Sequence, residues 1–345
     1  MENNNRRWIP VILGTMLILV FLVANAGVTW LNYFNFIDSD DASELILAKL
    51  LAQEGGIMSP NWYYSTEIRV LNTQLIYSVL FHFFSDFKTV RIIGQIVLST
   101  LMLASYYFCL RSVDAEKARD RFFLTGFLLL IPMSDAWTFL NMKSYYVPHI
   151  MISFFAFGLY FRVKNAEGIK KSVFFCTLGI LLGFGAGLGG IRSLQLTYIP
   201  MGLYLCLEVW GYLERRGWEK VFEDKHFWTV WIENMSCAAA ALAGFLANTF
   251  VLSGLYNFKS YSNMKYRYFS AGNVFNVWND LVQAIGYVEE SYIFTLDGIC
   301  NTMALVLTAV LLYNCFAVVK KHVNRMLKYE FIKNYQKIGG GVFVI

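Results

Sequence analysis

Long apolar runs broken by short polar clusters set the pattern of this chain. The first extends from about Trp8 to Leu31, with Asn25 as its main polar break. Others fall at about 91–110, 121–140, 146–162, 173–190, 194–213, 229–254 and 299–319. Each approaches the roughly 20 residues that a helix needs to cross a bilayer. The pattern therefore predicts a polytopic helical membrane protein. A further stretch, 70–86, "VLNTQLIYSVLFHFFSD", is apolar but interrupted by Asn72, Thr73, Gln74 and His82.

Charge between the runs orients them, because short cytoplasmic loops carry the excess of Lys and Arg. The basic connections are the N-terminus (Arg6, Arg7), 111–121, 162–171, 215–225 and the tail from Lys320. With these inside, one crossing fits between an outer loop ending near Arg69 and the inner loop at 111. The sequence thus predicts 91–110 as the span and 70–86 as a helix lying at the outer interface. The expected fold is all-α: a single transmembrane domain over 1–345, about eight spans, both termini inside. The expected order is a first span 8–31, an outer loop 32–90 with an acidic motif and interfacial helices, and spans over 91–254. A second outer loop 255–298, a last span 299–319 and a basic cytoplasmic tail 320–345 follow. Within the second loop, "NVFNVWNDLVQAIGYV" has the pattern of an amphipathic helix.

Composition agrees with this reading. Of 345 residues, 57% are hydrophobic and 15% charged, with mean hydropathy +0.46, whereas soluble domains carry about 25% charged residues. The first run is longer than a signal-peptide core and ends in no small-residue cleavage site, so it is read as an uncleaved span. Six cysteines lie in or beside apolar segments without a CxxC pair, which indicates neither a metal site nor a disulfide framework. The chain ends on "KNYQKIGGGVFVI", which turns apolar as it stops and raises the expectation of a further span beyond it.

The candidate chemistry sits just past the first span, in "NFIDSDDASELILAKL". Asp38, Asp40, Asp41 and Glu44 crowd the start of a helix with Asp41 near its N-cap, Glu44 at N3 and Gly55–Gly56 at its end. Leu47, Ala48, Leu50 and Leu51 give it a side expected to face the membrane. The carboxylates cap and solvate a helix start, or they deprotonate an acceptor hydroxyl or hold a divalent cation, Mg or Mn, through Asp38, Asp40 and Asp41. On the same side lie Trp62, Tyr63, Tyr64, Glu67 and Arg69, whose rings suit a sugar or a prenyl chain and equally an interfacial belt. Basic residues there are few. Lys143 and His149 lie in "NMKSYYVPHI", and Arg192 in "GLGGIRSLQLTYIP". Arg192 can bind a phosphate bidentately or snorkel to the headgroups, and His149 reads equally as a structural residue.

In this arrangement the chain resembles the GT-C glycosyltransferases, such as protein O-mannosyltransferases and lipid A aminoarabinose transferases. The likeness lies in Asp40–Asp41 as the acidic pair after the first span, in "LIYSVLFHFFSDFKTVRIIGQIVLSTLMLASYYFCLRS" and in "GIRSLQLTYIPM". Departures are the missing His-Pro-Pro-Leu-type stretch and an Asp-Asp pair in place of Asp-Glu. The resemblance implies inverting sugar transfer from a polyprenyl-phosphate donor at the extracytoplasmic face of the plasma membrane. Asp40 or Asp41 would be the base, supported by Asp38 and Glu44; Trp62, Tyr64, Glu67, Lys143, His149 and Arg192 would bind substrate. Expected partners are the lipid-linked donor, membrane lipids and an envelope glycan, lipid or protein acceptor, with no nucleic acid, and no cofactor is required beyond a divalent cation if one is used. The competing reading is a transporter or flippase of a lipid-linked substrate, for which the Gly-rich "GILLGFGAGLGG" speaks. A third is a non-catalytic assembly or polymerase-type envelope protein.

Overall fold

A computed structural model describes residues 5–64, 68–131, 141–216 and 225–258, with scattered positions between 272 and 317. The chain divides into two compact units. One comprises Met1–Met201 with Val230–Tyr268, the other Gly202–Thr229 with Phe269–Ile345. The first holds the whole candidate site.

The described residues of the chain are mainly helical, with one two-residue parallel strand pair among them. Helix α1 (Asn5–Leu31) is followed by the short α2 (Tyr33–Phe36), α3 (Ser39–Glu54), α4 (Thr73–Phe81) and α5 (Phe87–Val113). Next come α6 (Ala118–Thr125), α7 (Val147–Lys164) and α8 (Ile169–Gly187). A single turn (Ile191–Ser193) and a π-helical turn (Leu194–Tyr198) lead into α9 (Ile199–Arg216). Helix α10 (Lys225–Ala247) closes with a second π-helical turn, Asn248–Leu252. The strand pair sets Tyr63–Tyr64 beside Asn257–Phe258, and so ties the segment after α3 to the segment after α10.

Four helical stretches among the described residues are long and apolar enough to cross a membrane: Trp8–Leu31, Phe87–Val113, Ile169–Gly187 and Phe227–Leu255. The chain is accordingly an all-α membrane protein. They coincide with four of the expected spans. Helix α4 has 9 residues, which at 1.5 Å per residue reach about half of a bilayer core. The helix within 70–86 is thus shorter than the four stretches above. Positions 132–140, nearly all of the amphipathic pattern at 273–288 and the tail 320–345 lie outside the described residues.

Two expectations for α3 are corrected. Its N-cap is Asp38, not Asp41: the Asp38 carboxylate accepts from the amides of Asp40 (3.0 Å) and Asp41 (2.9 Å), and Asp41 at N3 returns the bond to the Asp38 amide (3.5 Å). The cap moved because the first carboxylate of the cluster already reaches the free amides of the first turn. The apolar side of α3 also faces protein rather than lipid. Leu45 and Ala48 pack with Tyr77, Val90, Leu98 and Val147, while Leu47 and Leu51 pack with Tyr64 and Ile68. Each buried Leu contributes about 2 kcal/mol of transfer from water, so α3 is fixed as a wall and its polar side is left facing a cleft. Gly55 ends the helix in the left-handed region at φ 71, a conformation that costs glycine little.

Candidate functional site

The cleft beside α3 encloses about 580 Å³ of empty space, its open mouth included. One wall is the polar side of α3, with Asp40, Ser43, Glu44 and Leu47. Trp62 and Tyr64 form another, the latter held by its hydroxyl accepting from the Ser59 amide at 3.1 Å and by the Tyr256 ring edge at 5.9 Å. Arg69, Asn72, Gln74 and Tyr145 complete the lining.

The four carboxylates meet four different fates. Asp38 is spent on the helix cap and on an ion pair with Lys143. Its carboxyl is held below the usual range by Lys143 and the first-turn amides, which outweigh partial burial. Asp41 turns inward, 1% exposed, against Arg91 of α5 at 3.1 Å. Burial raises its carboxyl in spite of that arginine. Asp40 is exposed and lines the cleft.

Glu44 lies on the cleft wall with its side chain 13% exposed. One oxygen accepts from Arg69 and Asn72, each at 3.3 Å, and the other from Thr73 Oγ1 at 2.5 Å. Desolvation is the largest influence on it and pushes its carboxyl to about 7, against the opposing pull of Thr73 and Arg69. Within the cleft, then, Asp40 is the carboxylate open to a ligand, and Glu44 offsets part of the Arg69 charge when ionised.

The cations lie around two consecutive tyrosines. The guanidinium of Arg69 stands 6.0 Å from the Tyr145 ring centre, and that of Arg192 stands 5.9 Å from Tyr146. Both are within electrostatic reach of His149, which is buried and shares a 3.1 Å hydrogen bond with Ser193 Oγ. The Tyr145 hydroxyl and Asn72 Oδ1 are buried with no hydrogen-bond partner among the described residues. The surroundings are thus more polar than their own bonds use up, which is a feature of ligand sites. The Tyr145 hydroxyl is pushed upward by burial and by the neighbouring carboxylates.

The structure brings Asp40, Glu44, Trp62 and Tyr64 into one cleft. Asp38 and Asp41 flank it behind their cationic partners. Lys143, His149 and Arg192 sit on the adjoining 141–146 segment and the ends of the neighbouring helices, not among the residues that line it. Glu67 lies outside the described residues. Not assigned from sequence were Ser43, Asn72, Gln74 and Tyr145, the role of Arg69, and Arg91 as the partner of Asp41. Arg69 had a signal, being the basic residue nearest the aromatic cluster. Tyr145 had none beyond its place in "SYY".

A divalent cation of the Mg or Mn kind wants about six oxygen ligands. Asp38, Asp40 and Asp41 do not converge to supply them, since two of the three are turned to Lys143 and Arg91. Among the described residues no group of three or more His, Cys, Asp or Glu side chains is placed to hold a metal ion. The donor set does not fit such an ion.

The chain matches no protein-family model, and neither the curated proteins nor the solved structures contain one significantly similar to it.

Proposed function

We propose that this chain is an inverting membrane glycosyltransferase that takes its sugar from a polyprenyl-phosphate donor, with the cleft beside α3 as its active site. The observation that carries this reading is a single aromatic-walled cleft in which an accessible carboxylate, Asp40, and a guanidinium, Arg69, share the lining. Asp40 is the general base. It takes the proton of an acceptor hydroxyl as that oxygen attacks the anomeric carbon, and the bond from that carbon to the phosphate oxygen breaks with its electron pair leaving on phosphate. Arg69, in the lining, receives the negative charge of the leaving polyprenyl phosphate, and Arg192 on the adjoining segment adds positive charge to that region. Trp62 offers a ring face to the sugar, and the buried Tyr64 backs that wall. The prenyl chain stays in the bilayer, so a cleft next to the spanning helices meets its substrate at the membrane boundary. The working face is extracytoplasmic, by the distribution of basic loops.

Asp41 has no part in proton transfer here, because its carboxylate is fully buried against Arg91. It orients the first turn of α3 on which Asp40 stands.

The test uses purified protein in liposomes with a panel of polyprenyl-phosphate sugars. Lipid consumption by the parent chain, lost in Asp40→Asn with insertion and thermal stability retained, is the expected result. Normal turnover in Asp40→Asn removes the mechanism. Lipid that crosses the bilayer with its sugar still attached replaces it with the transporter reading.

A further inference from the structure

We propose that Asn248 is a positioning residue that sets the Arg69 and Arg192 segments relative to one another, and so shapes the anion-binding part of the cleft. This rests on the assignment of those arginines to a phosphate group. Asn248 opens the π-helical turn at the end of α10 and is 8% exposed. Its side-chain Nδ2 donates to the carbonyl of Ile68 at 2.7 Å and to that of Leu188 at 2.6 Å. Ile68 immediately precedes Arg69. Leu188 follows α8, two residues before Gly190 turns the chain with φ +93 into the turn that bears Arg192. One amide group carries two hydrogens, and each holds one arginine-bearing segment.

The joint behind this amide is stiff. A Cβ on Gly187 would stand 2.0 Å from the Ala241 carbonyl oxygen, and one on Gly244 would stand 2.2 Å from that of Phe184. The backbones of α8 and α10 therefore touch one turn before Asn248, and the end of α8 is not free to slide. The π-turn matters because its extra residue shifts the helical phase at the point where Asn248 must meet both carbonyls. Folding does not hang on the amide alone: the Ile68 side chain is 1% exposed in its own cluster with Leu47, Leu51 and Tyr64. What Asn248 adds is direction. An aspartate of the same shape cannot donate and sets a charge against two carbonyl oxygens.

The experiment measures binding of geranylgeranyl monophosphate to the full chain in nanodiscs. The parent binds, and Arg69→Gln and Arg192→Gln each weaken binding. Asn248→Asp raises Kd about tenfold, and adding Arg192→Gln to it costs less than Arg192→Gln costs the parent. Asn248→Gln, which keeps both donors, recovers most of the affinity. If Asn248→Asp does not fold, Asn248→Ser, with a single donor, replaces it and weakens binding in the same sense. An unchanged Kd in the Asn248 variants, or strictly additive losses, overturns the positioning role while the arginine assignment stands. No binding by the parent, or none lost with the arginines, overturns the function proposed above and this inference with it.

Discussion

Arg91 Nη2 lies 3.1 Å from Asp41 Oδ1 and 2.9 Å from the Met142 carbonyl oxygen, joining α3, α5 and the 141–146 segment at one buried point. The two side chains are 4% and 0% exposed. Removing the arginine alone leaves a buried carboxylate without its counter-charge, a loss of about 3–5 kcal/mol. Arg91→Met is therefore expected to lower Tm by roughly 10 °C at ~2–4 °C per kcal/mol. Adding Asp41→Asn removes the stranded charge and recovers part of the loss. Thermal unfolding in detergent, followed by tryptophan fluorescence, decides. A double variant as unstable as the two single losses added together would show that the pair does not act as a unit.

The helices were legible because membrane crossing imposes a length and a composition that local sequence must satisfy. Trp8–Leu31 and Phe87–Val113 could hardly be read otherwise, and the polar residues Asn72, Thr73 and Gln74 set the short α4 apart from them. The acidic start of α3 was legible as a cluster but not as four separate roles. Which carboxylate caps, which is buried and which opens to the cleft depends on Arg91, Lys143 and Thr73, which lie 50, 105 and 29 residues away in the chain. No periodicity encodes such pairings. The same holds for the apolar side of α3: Leu47 and Leu51 have the spacing of a lipid-facing stripe, and only the fold shows that Tyr64 and Ile68 cover it.

Close helix packing gives a sharper contrast among glycines. Gly187 has the Ala241 carbonyl oxygen 2.0 Å from where its Cβ would be, while Gly27 and Gly254 have nothing within 4 Å. Small residues permit such contact between spanning helices. Gly187→Ala is expected to cost about 1–3 kcal/mol through forced separation of α8 and α10, whereas Gly27→Ala is neutral or slightly stabilising. Urea- or SDS-unfolding midpoints compare the two, and equal midpoints would disprove the close approach.

Glu44 links stability to pH. Its carboxyl titrates at about 7 when folded, against 4.5 for an ordinary glutamate. Below pH 4.5 both states hold the proton and Glu44 adds no pH dependence. Between 4.5 and 7 the folded chain keeps a proton that the unfolded chain has lost, so stability falls as pH rises, and above 7 the effect is constant. At about 1.4 kcal/mol per pH unit the whole window is worth ~3 kcal/mol at most. The Tm of Glu44→Gln relative to the parent is expected to improve steadily from pH 4.5 to 7 and then level off. A difference that does not change with pH would place Glu44 in a better-solvated setting than the cleft wall.

The same proton tunes the charge of the cleft. Ionised, Glu44 offsets part of the Arg69 charge across their 3.3 Å contact; protonated, it no longer does, and the cleft becomes more attractive to an incoming anion. Neighbouring charges point both ways, since Asp41 favours the protonated form and Arg91 the ionised one, but Asp41 and Arg91 are paired to each other at 3.1 Å and largely offset one another. A phosphate-bearing ligand should accordingly bind more tightly as pH falls from 8 to 6, even though the phosphate itself loses charge near pH 6. To separate the two, the probe is a lipid phosphodiester, whose single charge is constant over that range. Its Kd is expected to fall severalfold between pH 8 and 6 in the parent. In Glu44→Gln, where the side chain is neutral at every pH, it should stay flat at the tighter value. A parent Kd that is flat with pH would mean that Arg69 does not meet the ligand charge, and the cleft would then need another cation to hold phosphate.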